Sequence, residues 1–129
     1  MSDFQSLASR QGQHYEQTVR QVLGFRGWTV TNDRPVKVPG GEVDIIAYDP
    51  GGELWWIECK GSYRGQPGLE RYDTALKAVG AAWSLRQSNP DRPRYWLATN
   101  HLPKKGSAGD RLLALAVLDG LFTRVEVVA

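Results

Sequence analysis

Residues 40–62, GGEVDIIAYDPGGELWWIECKGS, carry two apolar runs either side of a turn, and both runs are apolar at odd and even positions alike. Side chains of a strand alternate between the two faces of a sheet. Val43, Ile45, Ala47, Trp55, Ile57 and Cys59 share one parity, and Ile46, Leu54 and Trp56 share the other, so neither face is left to solvent. A sheet covered on both sides needs flanking layers, and helices are the usual ones. Into this apolar background the sequence sets four charges of one parity, Glu42, Asp44, Glu58 and Lys60. A charge on a covered sheet costs free energy unless it is paired, hydrated in a cleft or bound to a cation. The four cluster toward one end of each run, and that pattern points to a site.

The rest of the chain supplies the layers. From Phe4 to Phe25 the positions Leu7, Ala8, Tyr15, Val19, Val22 and Leu23 recur at helical spacing, and GFRGW ends the helix. Trp28, Val30 and Val36 predict an irregular first strand. The two central strands follow as a hairpin closed by YDPGGE. Leu69, Tyr72, Leu76, Val79 and Trp83 predict a long amphipathic helix that buries its aromatic residues and ends near Asn89 and Pro90. RYWLAT (Arg94 to Thr99) reads as a short strand and HLPKKGSAG as a basic loop. Ser107 followed by Asp110 opens a last helix that Gly120 terminates, and TRVEVV makes a final strand. The order α-β-β-β-α-β-α-β describes an α/β fold, a mixed β-sheet flanked by helices, in a single domain over residues 1–129.

The 129 residues, 41% of them hydrophobic and five of them Trp, suffice for one real core. No run of about 18 apolar residues occurs and the N-terminus lacks a signal segment, so a soluble, cytoplasmic protein with no membrane partner is expected. Cys59 is the only cysteine, which excludes an internal disulfide and a cysteine-rich zinc site. The formal charge of +2 permits nucleic-acid binding through a local patch without arguing for it.

Glu58 and Lys60 are two apart on one strand and leave the same face, and the hairpin can bring Asp44 beside them. Two carboxylates offer hard oxygen ligands that suit Mg²⁺ or Mn²⁺, which fill their remaining positions with water and substrate phosphate. Such a cation polarises a phosphodiester and activates water, and a neighbouring ammonium orients that water or stabilises charge developing on phosphorus.

GEVDIIA followed by WIECK resembles the PD-(D/E)XK nucleases, whose signature is an acid on one strand and acid-any-Lys on the next; here Val43 replaces the signature proline. The stretch from Arg10 to Trp28, RQGQHYEQTVRQVLGFRGW, resembles the opening of archaeal-type Holliday junction resolvases, where Arg-x-Gly-x-x-x-Glu begins an amphipathic helix. The resemblance runs through Lys60 and implies a restriction-endonuclease-like fold. By position it implies that Asp44 and Glu58 bind metal and that the Cys59 main-chain carbonyl adds a ligand. Lys60 would serve the attacking water, Glu16 would act through a second metal or water, and Arg10 would face DNA phosphate. It also implies a Mg²⁺- or Mn²⁺-dependent endonuclease that cuts four-way DNA junctions by paired nicks and works as a homodimer. A chain this short has little room to read bases, which favours recognition of DNA shape. A restriction- or repair-type nicking nuclease and a non-cleaving DNA-binding module on the same fold are the rivals.

Other polar residues have plainer expectations. Arg64, Lys104 and Lys105 lie in loops and can grip phosphates or only solubilise. Glu42 is peripheral, and Glu16 has an ion pair with an arginine as its alternative role. His14 and His101 are isolated, Cys59 is a packed core thiol, and Arg71 and Lys77 share the polar side of the second long helix.

Overall fold

The computed structural model describes residues 3–62 and 68–129, with side chains from His14 onward. Helix α1 (Asp3–Phe25) leads into β1 (Thr29–Val30), β2 (Val36–Val38), β3 (Gly41–Val43), β4 (Ile45–Tyr48) and β5 (Leu54–Lys60). A 3₁₀ turn (Gly68–Glu70) precedes α2 (Tyr72–Ser88), then β6 (Arg94–Thr99), α3 (Ala108–Leu118) and β7 (Arg124–Val127).

Five strands form one sheet in the order β1-β4-β5-β6-β7, while β2 and β3 pair as a separate two-stranded ribbon. β1 with β4 and β4 with β5 are antiparallel, and β5, β6 and β7 run parallel. Each parallel step is crossed by a helix, α2 and then α3. Because successive crossovers advance the same way and share a right-handed sense, both helices cover one face. Helix α1 covers the other.

Both predicted faces are filled. Ile45, Ala47, Trp55, Ile57, Trp96 and Ala98 pack under Tyr15, Val19 and Leu23 of α1. On the opposite face Tyr95, Leu97 and the half-buried Trp56 pack under α2 and α3. The α3 start follows the predicted chemistry: Ser107 is the N-cap and accepts from the Asp110 amide at 3.3 Å, while Asp110 accepts from the Gly106 amide at 2.9 Å.

Three expectations are corrected. The irregular first strand is two short strands in different sheets, with β1 on the edge of the main sheet and β2 in the ribbon. The first strand of the hairpin is interrupted at Asp44, a bend between β3 and β4. The second long helix buries a different face from the predicted one. Ala75, Ala78, Ala82 and Leu85 are buried, whereas Tyr72, Leu76 and Trp83 are 48%, 44% and 54% exposed. The two stripes lie side by side on the helix, and α2 approaches the sheet closely through its small residues, so the large side chains have no room beneath it. Leu69 is buried, but in the 3₁₀ turn before the helix.

Candidate active site

The site forms where β5 ends. Glu58 and Lys60 project from the same face by strand alternation, and Lys60 Nζ lies 3.6 Å from Glu58 Oε1. Asp44 reaches them from the bend in the neighbouring strand. The register that pairs Ile45 with Ile57 stops there, and the Cys59 amide, which would face a continuing strand, donates to Asp44 Oδ2 at 2.9 Å. This places Asp44 beside Glu58, the residue before Cys59, and the charge of Asp44 acts on the Glu58 carboxyl group.

Burial dominates the electrostatics. It pushes Glu58 up to about 8, helped by the charge of Asp44 and opposed by Lys60. Asp44 is raised by burial too, against the Cys59 amide and Lys60, which both favour its charged form. Two carboxyl groups pressed together in this way favour holding a proton or a cation between them. The Cys59 thiol is pushed up by burial and by the charges of Asp44 and Glu58, and it packs against the α1-side core, so it is a core thiol rather than a nucleophile.

Glu16, on α1, is 8% exposed and is raised by burial and by the nearby charge of Asp44. Its carboxylate is held at 3.2 Å by Arg20 one turn on, so the ion pair weighed as an alternative is present beside the site. Glu42 is exposed and opposite Lys37 in the β2–β3 ribbon, and its charge reaches both Asp44 and Glu16.

The exit from β5 is fixed as firmly as the strand. A Cβ on Gly61 would stand 2.6 Å from Cγ of the Tyr15 ring, so only glycine lets α1 lie this close to the residue after Lys60. Asn100, just past β6, then grips Ser62: the Ser62 amide donates to Asn100 Oδ1 at 2.7 Å, and Asn100 Nδ2 donates to the Ser62 carbonyl at 2.8 Å.

The remaining predicted residues are less tightly gathered. Lys104 and Lys105 are exposed in the loop after β6, at the sheet end that carries Lys60. Arg64 and the Arg10 side chain lie outside the described residues. His101 pairs with Glu70 at 3.6 Å and Arg71 with Asp73 at 3.3 Å, both at the surface, and Lys77 is exposed. Sequence reading missed Arg20, Asn32 and Asn100, whose only signal is polarity next to strand ends or within an otherwise amphipathic helix.

Among the described residues no three His, Cys, Asp or Glu side chains gather into a ready cation cage. The donors are the Asp44–Glu58 pair and the adjoining Cys59 main chain. Hard oxygen donors in this small number fit a lightly chelated Mg²⁺ or Mn²⁺ that keeps water.

No protein-family model and no curated protein matches the chain. Solved structures do. The restriction endonuclease PspGI in complex with substrate DNA aligns over 97% of this chain and 48% of its own, with a TM-score of 0.62 and 23% identity. The chain has a restriction-endonuclease-like fold. An XisH family protein from Nostoc punctiforme PCC 73102 aligns over 88% of both chains (TM-score 0.58, 22% identity). Pyrococcus furiosus SfsA in complex with Ca²⁺ aligns over 93% of this chain and 55% of its own (TM-score 0.51, 18% identity). This restriction-endonuclease-like chain thus spans about half the length of PspGI and SfsA and most of the XisH family protein.

Proposed function

We propose that this chain is a Mg²⁺- or Mn²⁺-dependent DNA endonuclease, selective for branched DNA in the manner of a Holliday junction resolvase. The observation that carries the nuclease reading is the gathering of three side chains at the end of β5: Asp44 accepts from the Cys59 amide at 2.9 Å, next to Glu58, and Lys60 Nζ lies 3.6 Å from Glu58 Oε1. Asp44, Glu58 and the Cys59 main-chain carbonyl would hold the cation, and Glu16 would hold a second one or a water. When bound, the ion supplies Lewis-acid polarisation of the scissile phosphate and a lowered pKa for water. Lys60 orients the attacking water and meets the charge that develops on phosphorus. The covered sheet and α1 exclude bulk solvent from one side of the carboxyl pair, which strengthens each of these interactions.

The likeness of the fold to PspGI with its substrate DNA supports DNA as the partner. Selectivity for four-way junctions rests on the resemblance of Arg10 through Glu16 to resolvases, and Lys104, Lys105, Arg10 and Arg64 would contact phosphates. Paired nicks require paired sites, hence a homodimer. The apolar stripe of Tyr72, Leu76 and Trp83, left uncovered among the described residues, is the kind of surface a second copy would bury.

The test is strand-resolved cleavage of an immobile four-way junction beside linear and nicked duplexes of equal length. It is run at matched salt, with Mn²⁺ or chelator, alongside the mass in solution. Paired nicks confined to the junction and a dimeric mass support the full proposal. Equal cutting of all three substrates by a monomer leaves a restriction- or repair-type nuclease. Binding with no cutting under any metal condition overturns the nuclease.

A further inference from the structure

Asp44 stands at a bend between β3 and β4, where strand periodicity does not aim it, and two side chains from elsewhere hold its backbone. Its carbonyl accepts from Arg20 Nη2 at 2.8 Å and from Asn32 Nδ2 at 2.9 Å. Asn32 also accepts from the Ile46 amide through Oδ1 at 2.8 Å and donates to the Arg34 carbonyl at 2.8 Å. It stands two residues beyond β1, so its carboxamide continues by side chain the pairing that β1 begins with β4. The Arg20 side chain is only 8% exposed, and besides the Asp44 carbonyl its guanidinium reaches the Asn32 carbonyl and the Glu16 carboxylate.

A guanidinium taken out of water is costly unless its surroundings satisfy it; here Nη1 and Nη2 join three segments, while the buried Nε has no hydrogen-bond partner. Helix α1, the loop after β1 and the bend before β4 meet at its planar fork. A single nitrogen, Nη2, serves both Glu16 and the Asp44 carbonyl, so the helix acid and the strand acid are tied to one point. With the carbonyl held by Arg20 and Asn32, the Asp44 side chain turns to the Cys59 amide, beside Glu58.

We infer that Arg20 and Asn32 are positioning residues: they fix the bend at the Asp44 carbonyl, and the fixed bend aims the Asp44 carboxylate into the carboxyl pair. The consequence for catalysis, which rests on the nuclease reading, is that Asp44 arrives oriented instead of being ordered at each binding event. Partners that orient ligand residues typically change metal affinity or activity by about 10–100-fold when removed.

The test uses the full chain and the variants Arg20→Met, Arg20→Lys and Asn32→Ala, with Mn²⁺ alone as the metal probe. Three quantities are read: hydrogen exchange of the Cys59 amide without metal, calorimetric Mn²⁺ affinity, and single-turnover cleavage at saturating Mn²⁺. Arg20→Met and Asn32→Ala should each speed Cys59 exchange by about tenfold or more and lower affinity and rate by about 10–100-fold. Arg20→Lys should recover only part, since one ammonium keeps the charge for Glu16 but cannot span both carbonyls. Folded variants with wild-type exchange, affinity and rate overturn the inference, even if their melting temperatures fall. Should Arg20→Met fail to fold, Asn32→Ala, which leaves the buried ion pair in place, decides alone. Should the wild type neither bind Mn²⁺ nor cut, the nuclease reading falls, and Cys59 exchange in the variants still decides the positioning role.

Discussion

β5 runs unbroken from Leu54 to Lys60 and presents Glu58 and Lys60 on one face because they are two residues apart, whereas Asp44, across the hairpin, stands in a break between β3 and β4. The first pair is aimed by local geometry and would keep its facing in any strand of that sequence. Asp44 is aimed by the Cys59 amide in front and by Arg20 and Asn32 behind. An acid in a regular strand is held at a fixed spacing from its neighbours. An acid at a bend is free of that spacing, and here the Asp44 carboxylate turns onto the Cys59 amide, beside Glu58.

The largest effect expected on this contrast comes from Asp44→Asn. The amide oxygen still accepts from Cys59, so circular dichroism and melting should stay near wild type. Cleavage should fall by about 10²–10⁴-fold, the range that charge and proton-handling groups supply. Full turnover by the folded variant would place the reaction elsewhere.

Lys60→Ala breaks the strand-aimed half instead. The rate at saturating Mn²⁺ should drop by about a hundredfold while the metal concentration giving half-maximal rate changes little. Recovery of the full rate at high Mn²⁺ would remove Lys60 from the chemistry.

A pH series in chelator sharpens the comparison without cleavage. Because Glu58 in the folded chain is pushed up to about 8 from the ordinary 4.5, the folded state binds more protons than the unfolded one between those values. The stability that Glu58 contributes should therefore be fully present below about pH 4.5 and be lost as pH rises toward about 8. Glu58→Gln has no proton to lose and should remove most of that slope in urea melts. An identical slope in the variant would mean that the carboxyl pair is not under strain.

The smallest effect expected is that of Gly61→Ala, where the new methyl meets the Tyr15 ring just past Lys60. Overpacking there should lower stability by about 1–3 kcal/mol, seen as a shifted urea midpoint at unchanged slope. An unchanged midpoint would show that α1 yields easily at the strand exit.

Much of the fold was legible because it is written in short-range pattern. Two-sided hydrophobicity over residues 43–59 called for layers on both faces, and α1 on one side with α2 and α3 on the other supply them. The Ser107 cap and the extent of β6 follow from residues a few positions apart. The facing of α2 was not legible, because periodicity offers two adjacent stripes and favours the larger side chains. Only the tight approach to the sheet selects the alanines Ala75, Ala78 and Ala82.

The same division runs through the candidate site. That Glu58 and Lys60 share a face and that their strand is covered can be read from the residues alone, since both follow from a repeat of two along one chain segment. That Asp44 leaves the strand ladder, with Arg20, Asn32 and Glu16 gathered behind it, emerges only when the chain is packed. Its carbonyl is held by residues 24 and 12 positions away, and a hydrogen bond across that much chain depends on how helix and sheet pack, which no local repeat encodes.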